Sequence, residues 1–225
     1  DISSEIKRRA MPSLALALPA FVIGMGLSIC FALGLAFFRA TYLDFWGTVI
    51  CVVLTSISAL FFIVAGQFVF SRVLQLLPVS GFDPGSDAWR FLIMPVLISV
   101  IARLGGETRF NRTVFLEEIA KDYVRTARSK GLSEQAILFG HVLRNALIPI
   151  ISASVAVIPL LFMGSLIVES FFSIPGLGSY LIEAIGSQDF AIVRSMVFVG
   201  SVLYILGLIL TDICYSLADP RIRLQ

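Results

Sequence analysis

The chain has 225 residues, of which 58% are hydrophobic and 14% charged, with a formal net charge of +2. A soluble domain carries about 25% charged residues, so this much apolar surface needs lipid as its solvent, which excludes a water-soluble globule. No basic excess points to nucleic acid, and a mean hydropathy of +0.95 carried in unbroken apolar runs indicates membrane helices rather than barrel strands, which alternate over about ten residues.

In chain order, five spans are predicted. The first, residues 11–38, is 28 residues or about 42 Å of helix, so it must tilt or overhang a hydrocarbon core of about 30 Å. Its Gly24, Gly26, Ser28 and Gly34 form a small-residue stripe suited to close helix packing, with a second subunit as one partner. The second run covers residues 48–70. The third, residues 91–104, has only 14 residues and spans only if its helix continues through Gly105, Gly106 and Glu107. The fourth, residues 146–168, contains Pro149 and Pro159, each expected to kink it, and ends beside Glu169. The fifth covers residues 195–214. Cys30, Cys51 and Cys214 all lie in these runs and read as small hydrophobes rather than as a disulfide framework.

Lys and Arg set the orientation. With the polar stretch between Arg103 and Arg144 on the cytoplasmic side, eleven of the seventeen Lys and Arg residues are cytoplasmic: Arg39, Arg103, Arg109, Arg112, Lys121, Arg125, Arg128, Lys130, Arg144, Arg221 and Arg223. Lys7, Arg8 and Arg9 then lie outside against the rule, and a further span preceding Asp1 is the expected reason.

That polar stretch reads as a helix–Gly–helix hairpin. Residues 117–130 place Ile119, Ala120, Tyr123, Val124 and Ala127 on one helical face. Glu117 with Lys121 and Asp122 with Arg125 form spaced pairs, and Arg128 and Lys130 sit where the helix dipole favours cations. Gly131 follows at the left-handed cap position, and Ser133 is the predicted N-cap of a second helix that runs from Glu134 into the fourth span. A lipid tether needs only the basic residues, whereas interspersed acids and a capped turn suit a stiff docking element.

The chain has no G-x-x-x-x-G-K-[ST] phosphate loop, and its single His, His141, has no companion metal ligand or nucleophile. An intramembrane enzyme would have only Glu107, Glu169 and Asp212, all near span ends, to work with. A stand-alone channel or secondary transporter is a further alternative, and it would not need a docking element. Glu169 is open to two readings, facing an interior or sitting in headgroup water. Residues 173–187, with Pro175, Gly176 and Gly178, read as a turn and a short amphipathic segment that forms an outer gate or caps the bundle.

The hairpin resembles the "EAA" loop of binding-protein-dependent ABC importer permeases, in which Glu-Ala-Ala, three residues, Gly and nine residues precede Ile-x-Leu-Pro. Here Arg125-Thr126-Ala127 leads to Gly131 and then to His141-Val142-Leu143-Arg144. Arg125, Thr126, His141 and Arg144 depart from that pattern, but "VRTARSKG" and "HVLRNALIP" match the oligopeptide/dipeptide branch, which also includes nickel and opine importers. "LPVSG" at residues 77–81 is similar to a segment of the first of that branch's two paired permeases. "FSIPGLGSYLIEAI" at residues 172–185 resembles its outer segment, and "DPRIR" at residues 219–223 resembles its ending.

The resemblance implies an all-α type I importer bundle in one transmembrane domain, residues 1–225, with five helices here and an N-terminal sixth outside this chain. It implies a coupling loop at residues 105–145, in which Asp122, Tyr123, Arg125, Thr126, Ala127, Arg128, Gly131 and Leu132 meet an ATPase, and a pathway or gate that includes Glu169, Pro175, Gly176 and Gly178. The implied partners are a homologous second permease, two ABC ATPases that hold ATP and Mg, an extracytoplasmic substrate-binding protein and membrane lipid, in a bacterial inner membrane. No cofactor and no catalysis are implied for this chain itself.

Overall fold

The computed structural model describes residues 2–82 and 88–218, with side chains as far as Cys214. The motif at residues 219–223 lies outside the described residues. Among those residues the secondary structure is helical throughout. Among the described residues, four helical stretches are long and apolar enough to cross a membrane, and a sharply bent pair of helices makes a fifth if the two count as one broken span.

Helix α1, Ile2–Phe37, begins nine residues before the predicted span. The polar end stays helical because Glu5 pairs with Arg8 (2.6 Å) and Arg9 (2.8 Å) at spacings of three and four. Arg9 also reaches Glu183 (3.2 Å) and stacks over the Tyr180 ring (4.5 Å). Two of the three basic residues placed outside are therefore paired, one of them with the residue 172–185 segment.

The second run departs from its predicted form. Helix α2, Tyr42–Ser56, and helix α3, Ala59–Gly66, which continues as a wider coil over Gln67–Val73, meet at a bend of 89°. Polar side chains cluster at the break. Thr55 and Ser56 donate back to the carbonyls of Cys51 and Val52 (2.7 and 2.8 Å), and the Ser58 hydroxyl accepts from Leu60 N–H (3.3 Å) as the N-cap of α3. Hydropathy registers the length of a run and not these local bonds.

Helix α4, Ala88–Ile119, runs unbroken through Gly105, Gly106 and Glu107, so the short third run is part of a full-length helix. A side chain at Gly105 would collide with the backbone of α2 at Cys51, and Gly24 of α1 lies beside Glu107. The first residues of the predicted 105–145 loop are thus part of this helix, with Gly105 packed against α2 and Glu107 beside α1.

Helices α1 and α4 share the most extensive helix contact of the fold. Gly24, Ser28, Ala32 and Ala36, spaced by four, are all buried on one stripe of α1, and Asn111 Nδ2 of α4 donates to Ser28 Oγ (3.0 Å). This is small-residue packing joined by a polar bond. The expected stripe is therefore divided. Gly24 and Ser28 face α4 in the same chain, whereas Gly26 and Gly34 have open space at the position of a side chain. Ala32→Leu should cost about 1–3 kcal/mol by overpacking this seam, measured as the thermal unfolding midpoint in detergent. An unchanged midpoint would contradict the close contact.

The second hairpin helix does merge with the fourth span. Helix α5 is Asp122–Ser129 and α6 is Glu134–Ile137. A π-type turn, Leu138–Val142, leads into α7, Leu143–Val155. Pro149 stays within α7, while Pro159 opens a 3-10 segment, Ile158–Met163, that ends at Gly164. Helices α8, Leu166–Phe171, and α9, Leu177–Gly186, fold across the end of the bundle where α1 begins, and α10, Phe190–Ala218, closes the chain. The two ends of α1 mark two sides. One carries Arg9, Ser13 and α9; the other packs Ala32, Leu33 and Ala36 against the hairpin.

Candidate functional site

The hairpin is built from its caps outward. Gly131 has φ +78°, its N–H donates to Arg128 O (2.9 Å), and Leu132 N–H donates to Ala127 O (3.3 Å). Those two bonds form a Schellman cap on α5. Ser133 Oγ accepts from Ala136 N–H (3.3 Å), which starts α6 two residues later. Arg128 then bridges the turn, with its Nε 2.6 Å and its Nη2 3.1 Å from the Glu134 carboxylate.

The predicted single helix over residues 117–130 is instead two. Helix α4 ends at Ile119 and α5 starts after Lys121, whose backbone is extended. Lys121 pairs with Glu118 and not with the predicted Glu117, and the other Glu118 oxygen accepts from the Tyr123 hydroxyl (2.9 Å). Burial pushes the Tyr123 phenol above its ordinary pKa, opposed by a hydrogen bond from Asn145, so it stays a neutral donor at any physiological pH. A break with its own polar clasp gives α5 a direction different from that of α4.

Val124 and Ala127 are buried in one cluster with Ala32, Leu33, Ala36, Phe115 and Ile119. Ala127, expected on the docking face, therefore points into its own bundle, because the apolar stripe of this amphipathic helix has to find cover. Asp122, Arg125, Thr126 and Ser129 form the exposed face, with Gly131 and Leu132 at its tip. Tyr123 and Arg128 are half-buried at its margins. Asp122 and Arg125 do pair, at 3.4 Å, on the outside.

At the other end, Glu169 is fully buried. Its Oε1 accepts from Ser165 N–H (3.0 Å), and its Oε2 accepts from Gly178 N–H (2.7 Å) and Ser179 N–H (3.2 Å). Ser13 of α1 accepts from Leu177 N–H (2.8 Å). The first three N–H groups of α9, which no helical carbonyl can satisfy, are thus met by one carboxylate and one hydroxyl, where the helix dipole favours a negative group. Side chains at Gly164 or Gly176 would overlap the carboxylate, and one at Gly178 would meet Leu166 N at 2.8 Å. Of the residues predicted for a pathway or gate, Glu169, Gly176 and Gly178 converge, while Pro175 is exposed at the surface. Of the two readings of Glu169, the interior one holds. The "LPVSG" segment joins the same end: Gln67 Nε2 donates to Val79 O (3.1 Å) and Phe171 O (3.3 Å), and Gly81 N–H donates to Phe172 O (2.9 Å).

Comparison with known proteins decides the family. The model of the binding-protein-dependent transport system inner membrane component matches residues 9–224. This chain belongs to that family. Among its relatives, a putative peptide transport system permease protein of Brucella abortus (strain 2308) is 34% identical over 227 residues, covering 99% of this chain and 72% of the relative. A di/tripeptide transport system permease protein of Pseudomonas aeruginosa (strain UCBPP-PA14) is 37% identical over 192 residues, covering 80% and 56%. An oligopeptide transport system permease protein of Bacillus subtilis (strain 168) is 38% identical over 137 residues, covering 61% and 43%.

The permease is thus a multi-pass membrane protein of all-α type I importer architecture. Three residues that organise its two ends escaped the sequence reading in those roles: Glu118 at the α4–α5 break, Glu134 across the Gly turn and Ser13 beneath α9. Only the spacing of three between Glu118 and Lys121 was visible in advance. The Arg128–Glu134 pair lies largely in solvent, and exposed pairs contribute about 0–1 kcal/mol. Arg128→Ala should therefore lower the unfolding midpoint only slightly, and a loss as large as that from a buried change would contradict the pair's solvent exposure.

Proposed function

We propose that this permease is the membrane-embedded subunit of an ATP-driven importer for peptides, and that α5 and its cap are the surface an ATPase grips. It pairs with a homologous second permease to enclose the translocation pathway, receives solute from an extracytoplasmic binding protein, and resides in a bacterial inner membrane. ATP and Mg belong to two partner ATPases, and the permease moves solute without covalent chemistry. The names of the relatives, peptide, oligopeptide and di/tripeptide transport permeases, support the cargo class.

One observation carries the coupling role. The polar face of α5 is exposed while its apolar face is fixed in a cluster shared with α1, α4 and α7. A helix seated in a partner's groove is a familiar recognition mode, and one rooted in the bundle core transmits displacement where a loose loop would absorb it. The buried stem leaves Asp122, Arg125, Thr126 and Leu132 to make the contact, with Tyr123 and Arg128 at the edge.

Co-purification tests this reading. A Walker-type ATPase should be recovered with the intact permease and lost when residues 122–132 are scrambled. Recovery of the ATPase with the scrambled permease would refute the docking role, and absence of any ATPase from the intact complex would favour a stand-alone channel or secondary transporter.

A further inference from the structure

Between α1, α4 and α7 lies an open cavity of about 180 Å³ whose walls include Arg103, Glu107, Asn111, Ser28 and Ser154. Its depth follows from the apolar runs. Glu107 lies beside Gly24, the midpoint of residues 11–38, and Ser154 is near the middle of residues 146–168. Two spans therefore place the cavity close to the centre of the bilayer. There Arg103 and Glu107 form an ion pair, with Nη2 2.7 Å and Nε 2.9 Å from Glu107 Oε1. The pair is not enclosed by its own chain, since the Arg103 side chain is 48% exposed and that of Glu107 29%. Charged groups at such depth avoid lipid and face protein or water.

We infer that the Arg103–Glu107 pair is a mid-membrane contact site for the terminal charges of a zwitterionic peptide, with Glu107 receiving the α-ammonium and Arg103 the α-carboxylate. The inference rests on the importer reading and adds to it a place and a chemistry for the solute. When the site is empty the two side chains neutralise each other. A peptide exchanges that internal pair for two intermolecular ones. Ser154, partly exposed on the same wall, offers its hydroxyl oxygen to a backbone N–H at this level, whereas Ser28 and Asn111 are buried and bonded to each other (3.0 Å). Arg109 and Arg112 do not belong to this site: Arg112 is engaged bidentately by Asp44 (2.7 Å to each oxygen), and Arg109 lines a different hollow with Thr48 and Gly106.

The test uses the complete transporter with its binding protein in proteoliposomes, trialanine as probe, and Cys30, Cys51 and Cys214 replaced by Ala. Glu107→Cys, and separately Ser154→Cys, which leaves the ion pair intact, are treated with a charged, membrane-impermeant methanethiosulfonate. The expected result is labelling of both positions, slowed about tenfold or more at Ser154→Cys, where the ion pair is intact, when trialanine, binding protein and ATP are present together. Glu107→Gln should also cut trialanine uptake about tenfold or more. Cysteines that stay unlabelled, or Ser154→Cys labelling that trialanine does not slow, in a Ser154→Cys transporter that still takes up trialanine, or full uptake by Glu107→Gln, would overturn this inference alone. A parent transporter that takes up no trialanine would overturn the peptide reading and this inference with it.

Discussion

Replacing Glu169 by Ala is expected to destabilise the permease by about 3 kcal/mol or more. The carboxylate accepts from three backbone N–H groups, those of Ser165, Gly178 and Ser179, in a site with no solvent exposure. Each buried donor left without a partner costs about 1–3 kcal/mol, and the truncation also opens a cavity between α8 and α9. Glu169→Gln should cost less but still measurably, because one of its two oxygens is replaced by an N–H₂ group that faces donors. Gly164→Ala should fall in the same class. Gly164 has φ +71° and ψ −173°, a region open essentially to glycine alone, and the added methyl would overlap Glu169 Oε1. Thermal unfolding in detergent, read as loss of the monodisperse species, measures all three. Wild-type midpoints for Glu169→Ala and Gly164→Ala would show that the carboxylate does not hold this end of the bundle together.

Gly131→Val should leave a folded permease that hydrolyses ATP through its partners without moving solute. Gly131 has φ +78° and open space where a side chain would go, so nothing clashes and the penalty is conformational. A left-handed residue other than glycine costs about 1–2 kcal/mol, which lowers the ratio of correctly shaped to misshapen hairpin by roughly 5- to 30-fold. Uptake by the assembled transporter should fall, by at most that factor. Gly131→Asn, which tolerates this backbone conformation, should retain most of it. Full uptake together with full solute-stimulated ATP hydrolysis in Gly131→Val would refute the need for a rigid cap. Because the Cβ points into open space, any loss of global stability should not exceed that conformational cost, and a folded, monodisperse permease with an unfolding midpoint only slightly below wild type would separate lost coupling from misfolding.

The sequence by itself determined the solvent of this protein and the local chemistry of its hairpin. Apolar excess and run length dictate membrane helices whatever their arrangement, and the Gly131 cap, the Ser133 N-cap and the Asp122–Arg125 pair depend only on residues a few positions apart. Tertiary structure decided what the same residues face. Glu169 could have sat in headgroup water until Gly178, Ser179 and Ser13 closed over it, from nine, ten and more than a hundred residues away. Ala127 was sorted inward, and Leu132 outward, by clusters that include Ala32 and Phe115. The second run bends by 89° beside Thr55, Ser56 and the Ser58 N-cap, a break that a hydropathy average does not register. Arg103 and Glu107 came to line a cavity shared with α1 and α7 only when α4 was laid along Gly24 of α1. Helix propensity and capping act over one or two turns, whereas burial depends on which distant segments pack together, and that information lies in the folded chain.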